Sequence, residues 1–301
     1  MNKKKQKRSK ILSILLLIIT IFYGIYNTNL NESFGLENTN PTFKETSTNL
    51  FIYFLDVGQA DSILIQNKEE FMLIDAGNNE DGDLLVKYFQ ELGITNFKYV
   101  IGTHPHEDHI GGLDNIISSF EIGTIFLPDA ITTTTTFIEV LDAIEEKNMT
   151  YTVPKIDETF LLGDAEIKVI YTGTDTSDLN NTSIVLKLTF GNNKFLFTGD
   201  ATSKTEAKII NKDIQADVLK IGHHGSKYSS TEEFLDKVNP KYAIISVGEK
   251  NNYNHPSNTT IEKLQQKNIN IYRTDKLGTI LLTSNGKEIT ISNFKTNTNG
   301  G

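Results

Sequence analysis

The six histidines of this 301-residue chain fall into three short segments, and these segments are where the sequence could do chemistry. Three of them lie in the run from Thr103 to His109, which contains the pattern H-x-H-x-D-H. Two more form the pair His223-His224, and the last is His255. Imidazole is the commonest metal-binding side chain. Because no histidine is used elsewhere, the sequence predicts one site, and a two-metal hydrolytic centre fits it best.

The first segment brings two kinds of metal-binding group together over six residues, as His104, His106, Asp108 and His109. Pro105 disfavours helix at His104, so the segment begins extended or turned and its side chains can converge on one point. Imidazole and carboxylate ligands without thiolate suit zinc, with manganese or iron as alternatives. We therefore predict two divalent metal ions, with Zn²⁺ favoured and Mn²⁺ as the alternative.

The composition limits the partners of this chain. It has no cysteine, which excludes disulfides, thiolate metal sites and cysteine nucleophiles. The net charge is −9, and residues 1–10 carry six basic groups and no acid, which leaves −15 on the remainder. Nucleic-acid binding scales with the phosphates that Lys and Arg neutralise, so an acidic body disfavours general binding of polyanions. A local basic groove remains compatible with this balance.

The N-terminal residues predict export. Residues 1–10 form a basic tail that we expect to be cytoplasmic, and residues 11–26 form an uncharged apolar run, the order found in signal peptides and signal anchors. No A-x-A cleavage pattern follows, which favours an anchor, and a buried core helix is the remaining alternative. The positive-inside rule sends the chain after Tyr26 outward. We expect a protein on the extracellular face, membrane-anchored or secreted, with residues 27–49 as a flexible linker.

From residue 50 the sequence changes to short apolar runs separated by helical periodicity, which predicts one α/β domain over residues 50–295 and a disordered tail over 296–301. The predicted strands are 50–55, 62–65, 71–74, 97–102, 184–190, 194–198, 216–221, 242–247 and a hairpin over 279–292; the predicted helices are 81–92, 110–120, 203–210, 231–238 and 260–267. Each histidine segment follows a predicted strand, where loops commonly carry function.

The histidine run resembles the metal-binding motif of the metallo-β-lactamase fold, and further motifs follow in the order expected for that fold. The carriers are Leu73–Gly77, Phe197–Asp200 and Ile221–Ser226. Within the superfamily the chain is most similar to the hydrolase domain of ComEC competence proteins, on Leu55–Ser62, His223–Ser226, Asn254–Pro256, Arg273-Thr274 and Gly278. It is also similar to phosphorylcholine esterases. The resemblance covers about residues 51–280 and implies a four-layer αββα sandwich, here preceded by a membrane-anchor or signal helix.

The resemblance also implies which residues bind metal. It assigns His104 and His106 to one metal, Asp108, His109 and His224 to the second, and Asp200 to a bridge between them. His223 and His255 are then spare imidazoles, which together with Asp108 are the candidate catalytic residues. Either spare imidazole could bind a phosphoryl oxygen or protonate a leaving group. A supporting hydrogen-bond role is the alternative.

Three aspartates ahead of the histidine run need an interpretation as well. The resemblance implies that Asp75 supports the metal-binding loop and does not itself bind metal. Asp56 and Asp61 flank the Gly58-Gln59 turn and are predicted to stabilise it. For Asp56, contact with the metal-binding loop is the alternative.

One departure from the wider superfamily bears on the substrate. Glyoxalase II and the three-histidine lactamases place a further histidine before the bridging aspartate, whereas this chain has Asn180–Ser183 in that region and no histidine between 109 and 223. The first metal would then have two imidazoles, the Asp200 bridge and an Asn oxygen or water. This argues against lactamase and thioester hydrolase activity and leaves room for a phosphoester oxygen. The absence of Glu at position 106 argues against the oxygen-reducing di-iron relatives.

The sequence therefore predicts an exported di-metal phosphodiesterase. Two substrates remain open, because the ComEC resemblance suggests DNA, as for a nuclease, while the acidic body suits a small phosphodiester such as a phosphorylcholine ester. The membrane is the second expected partner, through the N-terminal segment, and no obligate protein partner is predicted. The alternatives are a non-catalytic scaffold on the same fold and a membrane-tethered adaptor.

Overall fold

A computed structural model describes residues 48–294, and these residues form two β-sheets with helices. The strands are β1 Leu50–Phe54, β2 Ser62–Asn67, β3 Glu70–Ala76, β4 Asn96–Ile101, β5 Glu121–Phe126, β6 Tyr151–Thr152, β7 Thr159–Leu162, β8 Ala165–Tyr171, β9 Val185–Phe190, β10 Asn193–Phe197, β11 Val218–Lys220, β12 Tyr242–Ile245, β13 Asn270–Arg273, β14 Thr279–Ser284 and β15 Ile289–Phe294. The helices are α1 Gly82–Glu91, α2 Glu107–Ile110, α3 Leu113–Ser119, α4 Thr135–Glu146, α5 Ser203–Ile209, α6 Glu232–Val238, α7 Asn258–Gln266 and α8 Thr274–Leu277.

Each sheet combines an antiparallel part with a parallel part. The first has the order β15-β14-β1-β2-β3-β4-β5-β6, and β3 to β6 run parallel. The second has the order β13-β12-β11-β10-β9-β8-β7, and β10 to β13 run parallel. Parallel strands present their carboxyl ends at the same edge of a sheet, where open α/β sheets commonly bind ligands. The topology thus directs the loops after these strands to one edge of each sheet.

Strand β2 shows how the layers are held together. Its side chains are apolar on both faces, as expected of a strand covered on both sides. Ile63 and Ile65 enter a core between the two sheets, together with side chains of the second sheet such as Phe195. Leu64 points the other way, into a core shared with Phe89 of α1. A third core joins the outer face of the second sheet to α5, α6 and α7. The layers therefore run helix, sheet, sheet, helix.

The strands and helices named from the sequence are present to within two residues at each end, with one exception. The predicted helix 110–120 begins earlier, at Glu107, and is interrupted at Gly111-Gly112 before α3 starts. The chain passes very close to neighbouring backbone here, because a Cβ on Gly111 would lie 2.2 Å from the carbonyl carbon of Asn78. The elements β5 to β8, β13, α4 and α8 were not predicted. The mixed α/β class with two sheets is confirmed.

The N-terminal predictions fall beyond the part of the chain that the structure describes. The basic tail, the anchor or signal segment and almost all of the linker lie before residue 48, and the C-terminal tail lies after residue 294. Within residues 48–294, none of the helices has both the length and the apolar character needed to cross a bilayer.

Candidate metal centre

The three histidine segments and Asp200 follow strands whose carboxyl ends face one region. The run from Thr103 to His109 follows β4, Asp200 follows β10, and the pair His223-His224 follows β11. The segment with His255 follows β12. Contacts between imidazole rings link all six histidines into one group, with ring centroids 4.1 to 6.2 Å apart from each to the next. The single site expected from the sequence is therefore formed by both sheets.

Four side chains predicted to bind the second metal converge in the structure. Potential ligand atoms of Asp108, His109, Asp200 and His224 all lie within 4.8 Å of one another. His224 Nε2 is 3.2 Å from Asp108 Oδ2 and 3.7 Å from Asp200 Oδ2. His109 Nε2 is 3.3 Å from Asp200 Oδ1. Asp200 thus faces two imidazoles at distances that leave space for a cation between them.

The two residues predicted to bind the first metal lie beside this cluster. His104 Nε2 is 3.0 Å from His106 Nδ1 and 4.0 Å from Asp200 Oδ2. His104 is fully buried, whereas His106 is partly exposed. The Asn oxygens expected nearby differ in their bonding. The Asn181 Oδ1 accepts hydrogen bonds from two threonine hydroxyls, while the Asn180 Oδ1 is buried and has no hydrogen-bond partner among residues 48–294.

Buried atoms without hydrogen bonds show that this cluster suits a divalent cation. Among residues 48–294, His109 Nε2, His224 Nε2 and Asp200 Oδ1 are buried and have no hydrogen-bond partner. Buried polar groups are almost always paired, since an unpaired one costs about 1–3 kcal/mol. Here three such atoms face one another, and they are the imidazole and carboxylate donors that zinc and manganese accept. The residues present therefore fit the metal ions predicted from the sequence.

The second ring nitrogen, Nδ1, of both His109 and His224 donates a hydrogen bond to an acceptor that holds the ring in place. His109 Nδ1 donates to Asp75 Oδ2 at 2.8 Å, and His224 Nδ1 donates to the Ser246 carbonyl at 2.9 Å. Asp75 also accepts from the Thr103 backbone N–H at 2.7 Å, so it holds the start of the loop as expected from the sequence. In the neutral rings that bind metal, these bonds select the tautomer that leaves Nε2 with its lone pair facing the cluster, as in carboxylate–histidine–metal arrangements.

A buried lysine and aspartate behind the centre were missed at the sequence level. The Lys220 ammonium forms an ion pair with Asp61, and both side chains are 1% exposed. Asp61 Oδ1 lies 3.5 Å from His224 Nδ1, and the Asp61 backbone N–H donates to the Asp108 carbonyl at 3.0 Å. Lys220 Nζ also donates to the Gly199 carbonyl, one residue before Asp200. A charged residue in the apolar run of β11 was a signal for Lys220 itself, although not for its partner.

Asp56 stabilises the turn as predicted, whereas Asp61, predicted to do the same, pairs with Lys220 and is the residue that reaches the metal-binding loop. Asp56 stays at the turn, where its Oδ1 accepts from the Gly58 backbone N–H and its own N–H donates to Thr279 Oγ1. Asp61 immediately precedes β2 and is buried against the Asp108 backbone.

The charges around the centre keep its carboxylates ionised. Burial raises the pKa of Asp200, but His109 and His224 in their protonated form outweigh burial and hold the Asp200 pKa well below its usual range. The Asp108 pKa is likewise lowered, since the charges of His109 and His224 outweigh burial. The pKa values of these two histidines are themselves, despite burial, raised by the neighbouring carboxylates. Burial lowers the pKa of Lys220, yet Asp61 and Asp200 raise it overall, so its ammonium stays charged. The pKa of His104 is well below its usual range, mainly through burial, which keeps this imidazole neutral and able to bind metal.

His223 and His255 form the rim of the cluster. His223 Nε2 is 3.7 Å from Asp200 Oδ2, and the ring of His255 lies 5.6 Å from that of His223. Burial lowers the pKa of His255 to about 4, assisted by the other imidazoles, and burial is also the main cause of the lowered pKa of His223. The backbone at His223 and His224 is left-handed, with φ of 52° and 51°. Such strain costs about 1–3 kcal/mol per residue and is typical of functional sites.

Removing metal is expected to destabilise the protein. A ligand that binds only the folded state at a hundredfold excess over its Kd adds about 2.7 kcal/mol, which corresponds to a Tm shift of about 5–10 °C for a domain of this size. Thermal unfolding of the full chain with and without a chelator measures this shift. Restoring Zn²⁺ or Mn²⁺ should reverse it. Equal Tm values before and after chelation of a protein shown to carry metal would contradict the assignment.

Comparisons with known proteins agree with the fold. The family model described as metallo-beta-lactamase superfamily matches residues 55–249. ComE operon protein 3 of Bacillus subtilis is 31% identical over 247 residues, which are 75% of this chain and 32% of that protein. Competence protein ComA of Neisseria gonorrhoeae is 28% identical over 229 residues, which are 75% of this chain and 31% of that protein. The chain thus spans about a third of the length of these relatives.

Solved structures show the same fold at low sequence identity. The metallo-beta-lactamase fold protein YhfI from Bacillus subtilis superposes with a TM-score of 0.51 at 12% identity, over 75% of this chain and 96% of that one. CmlA, a diiron beta-hydroxylase from Streptomyces venezuelae, superposes with a TM-score of 0.51 at 16% identity, over 76% of this chain and 53% of that one. At these identities the likeness is one of fold alone.

Proposed function

This chain belongs to the metallo-beta-lactamase superfamily, and from that premise we propose that it is a di-metal hydrolase that cleaves phosphodiester bonds. The fold binds divalent metals, usually two, and is typically that of a metal-dependent hydrolase. The observation that carries the proposal is the group of buried, unpaired imidazole and carboxylate atoms that face one another around Asp200.

The ligands are assigned to two positions that share Asp200. His104 and His106 would hold one ion and Asp108, His109 and His224 the other, with Asp200 near both. The ions would be zinc or manganese, and they would supply water activation and positive charge for the attacking and leaving oxygens. Asp108 lies at the open side of the cluster, with its side chain 30% exposed, so it borders the substrate as well as binding metal.

The protein's own groups orient the substrate. His223 and His255 lie at the rim, and the His223 side chain is 24% exposed. Their imidazoles are placed to bond to a phosphoryl oxygen or a leaving group, as catalytic hydrogen bonds often form only with substrate present. The strained backbone at His223 keeps this imidazole next to Asp200. These two histidines therefore position the phosphodiester against the metal ligands.

DNA is the substrate we favour. The relatives include proteins named for competence and recombination, which supports a nucleic acid, and the absence of a third imidazole at the first position supports a phosphodiester over a lactam or thioester. The second candidate is a small phosphodiester such as a phosphorylcholine ester, which the charge of −15 outside the basic tail favours. We further propose that the domain works on the extracellular face, held by or released from the membrane segment, without an obligate protein partner.

One experiment on the full chain, purified without chelator, tests this function. Metal is counted by elemental analysis, and hydrolysis of bis-p-nitrophenyl phosphate is compared with that of single-stranded DNA and of a phosphorylcholine ester, with and without added Mn²⁺. Close to two metals per chain with turnover supports the proposal, and the substrate comparison selects between its two forms. Metal-free protein that no added metal activates would instead indicate the scaffold alternative.

His223→Ala is expected to lower kcat by about 10²-fold, because a positioned hydrogen bond to the reacting group is lost while the metal ligands remain. Steady-state kinetics with p-nitrophenyl and simple alkyl leaving groups measure the effect. A larger loss with the alkyl group would identify His223 as the proton donor, and an equal loss would identify it as a phosphoryl-oxygen ligand. A variant with unchanged kcat on both would remove His223 from the mechanism.

A further inference from the structure

Three highly exposed apolar side chains lie in loops that follow parallel strands. The most exposed large apolar residues among residues 48–294 are Ile131, Tyr253 and Tyr228, at 73%, 68% and 64%. Ile131 lies in the loop after β5, Tyr228 in the loop after β11, and Tyr253 in the loop after β12. These loops leave the carboxyl ends of parallel strands, which is the same edge from which the metal-binding segments come. The most exposed apolar side chains of residues 48–294 therefore lie in loops at the same edges of the sheets as the candidate metal-binding segments.

We propose that Ile131, Tyr228 and Tyr253 form a nucleobase-binding rim, and that the base next to the scissile phosphodiester of a single-stranded nucleic acid stacks on Tyr253. This inference rests on the proposed phosphodiesterase function and specifies its substrate class. Stacking on exposed aromatic rings is how proteins hold single strands without reading their sequence, since every base has a flat face.

Contacts between rings connect Tyr253 to the centre. One face of its ring packs on His255, with centroids 5.8 Å apart and planes 27° from parallel. His255 in turn lies against His223, whose Nε2 is 3.7 Å from Asp200. Although it packs on His255, Tyr253 is 68% exposed, which leaves ring surface accessible to solvent. A base on that exposed surface would continue the stack outward from the imidazoles that border the reacting phosphate.

The loop that carries Tyr253 is held in place before any substrate arrives. Asn251 Oδ1 accepts from the backbone N–H groups of Tyr253 and His255, and Asn251 Nδ2 donates to the carbonyls of Gly248 and His255. The Gly248 N–H donates to Gln59 Oε1, which ties the loop to the turn before β2. A fixed ring loses little entropy when a ligand stacks on it, so this platform is preorganised.

Charge favours a flat base over a small cation. Residues 11–301 carry a net charge of −15, which weakens binding through phosphate contacts, so stacking would contribute much of the affinity. A choline-type cage needs several free aromatic faces around the cation. Here Lys227 Nζ already lies 5.1 Å over the ring of Tyr228, and its ammonium would repel a second cation. The same ammonium suits a neighbouring phosphate of a nucleic acid strand.

The absence of tryptophan from the chain gives a direct test. Tyr253→Trp creates a single fluorescent reporter in the metal-loaded full chain, and Leu161→Trp creates a matched one at an exposed position on β7, outside the three loops. Both are titrated with a short phosphorothioate-linked oligothymidylate, with an abasic oligomer of equal charge, and with phosphorylcholine. We expect the oligothymidylate to quench only the reporter at position 253, and the other two ligands to leave it unchanged.

The second test is steady-state kinetics of Tyr253 variants that contain no tryptophan reporter. Tyr253→Ala should raise KM for a phosphodiester-linked oligothymidylate of the same length by about tenfold, and Tyr253→Phe should keep KM near the wild-type value because it retains the stacking face. Equal quenching by the abasic oligomer, quenching by phosphorylcholine, or no quenching at all would each overturn the base-stacking rim. Phosphodiester hydrolysis by the wild type is measured separately, so failure of the rim and failure of the proposed function are distinguishable.

Discussion

Replacing Asp200 by alanine should abolish phosphodiester hydrolysis while leaving the fold intact. Its carboxylate is the group that faces both His109 and His224, and it also lies within 4.0 Å of His104. Loss of one group that stabilises charge in an active site costs about 10²–10³-fold, and loss of a ligand shared by two ions should cost at least as much. Turnover with bis-p-nitrophenyl phosphate and metal content per chain measure the result, and both should fall.

The backbone at this position gives a reason to expect a folded variant. The turn is held by bonds that do not use the carboxylate, namely the Asp200 N–H to Ser183 Oγ at 3.1 Å and the Ala201 N–H to the Thr198 carbonyl at 3.0 Å. Asp236→Asn, at an exposed carboxylate of α6 paired with Lys267, is the matched control and should keep full activity. A folded Asp200→Ala protein with wild-type turnover would disprove the di-metal assignment.

Replacing Lys220 by methionine should lower the free energy of unfolding by about 3–5 kcal/mol, because it leaves the buried Asp61 charge without its partner. Lys220 and Asp61 are both 1% exposed, so solvent cannot compensate. Urea denaturation of the metal-free protein measures the loss without a contribution from metal binding. The same substitution at Lys68, whose pair with Asp164 is about half exposed, should cost at most about 1 kcal/mol.

A double-mutant cycle separates the ion pair from simple loss of packing. In Lys220→Met combined with Asp61→Asn the unpaired charge is gone, so part of the lost stability should return. Additive losses in the double variant would mean that the two side chains contribute independently. That result would remove the ion pair as the reason for a buried lysine in β11.

The candidate metal ligands were easier to predict from the sequence than the buried groups that hold them in position. The histidine segments and Asp200 are recognisable because their residue types and spacings are local, and the structure brings them together. The Lys220–Asp61 pair depends on strands of different sheets coming together, which no local pattern records. The break in the helix at Gly111-Gly112 likewise depends on backbone from a distant turn. The two glycines in the sequence do not show which segment will pack against them.

Some of the elements that were not predicted nevertheless have a signal in the sequence. Strand β8 alternates buried and exposed positions, with Ile167 and Val169 inward and Glu166 and Lys168 outward, which is the period of a half-covered strand. Helix α4 begins after Thr134, whose hydroxyl accepts from the Phe137 N–H as an N-cap. These signals were present but short. The pairing of strands across the two sheets, by contrast, is set by packing that only the folded chain contains.

The gathering of every imidazole at one centre also determines how the protein can be observed. In most proteins histidine resonances report on scattered, unrelated environments and must be assigned one by one. Here all six rings lie in a single contact network, so an imidazole NMR spectrum contains signals from the centre alone. Metal titration and substrate binding can then be followed without complete assignment, provided that the purification tag contains no histidine.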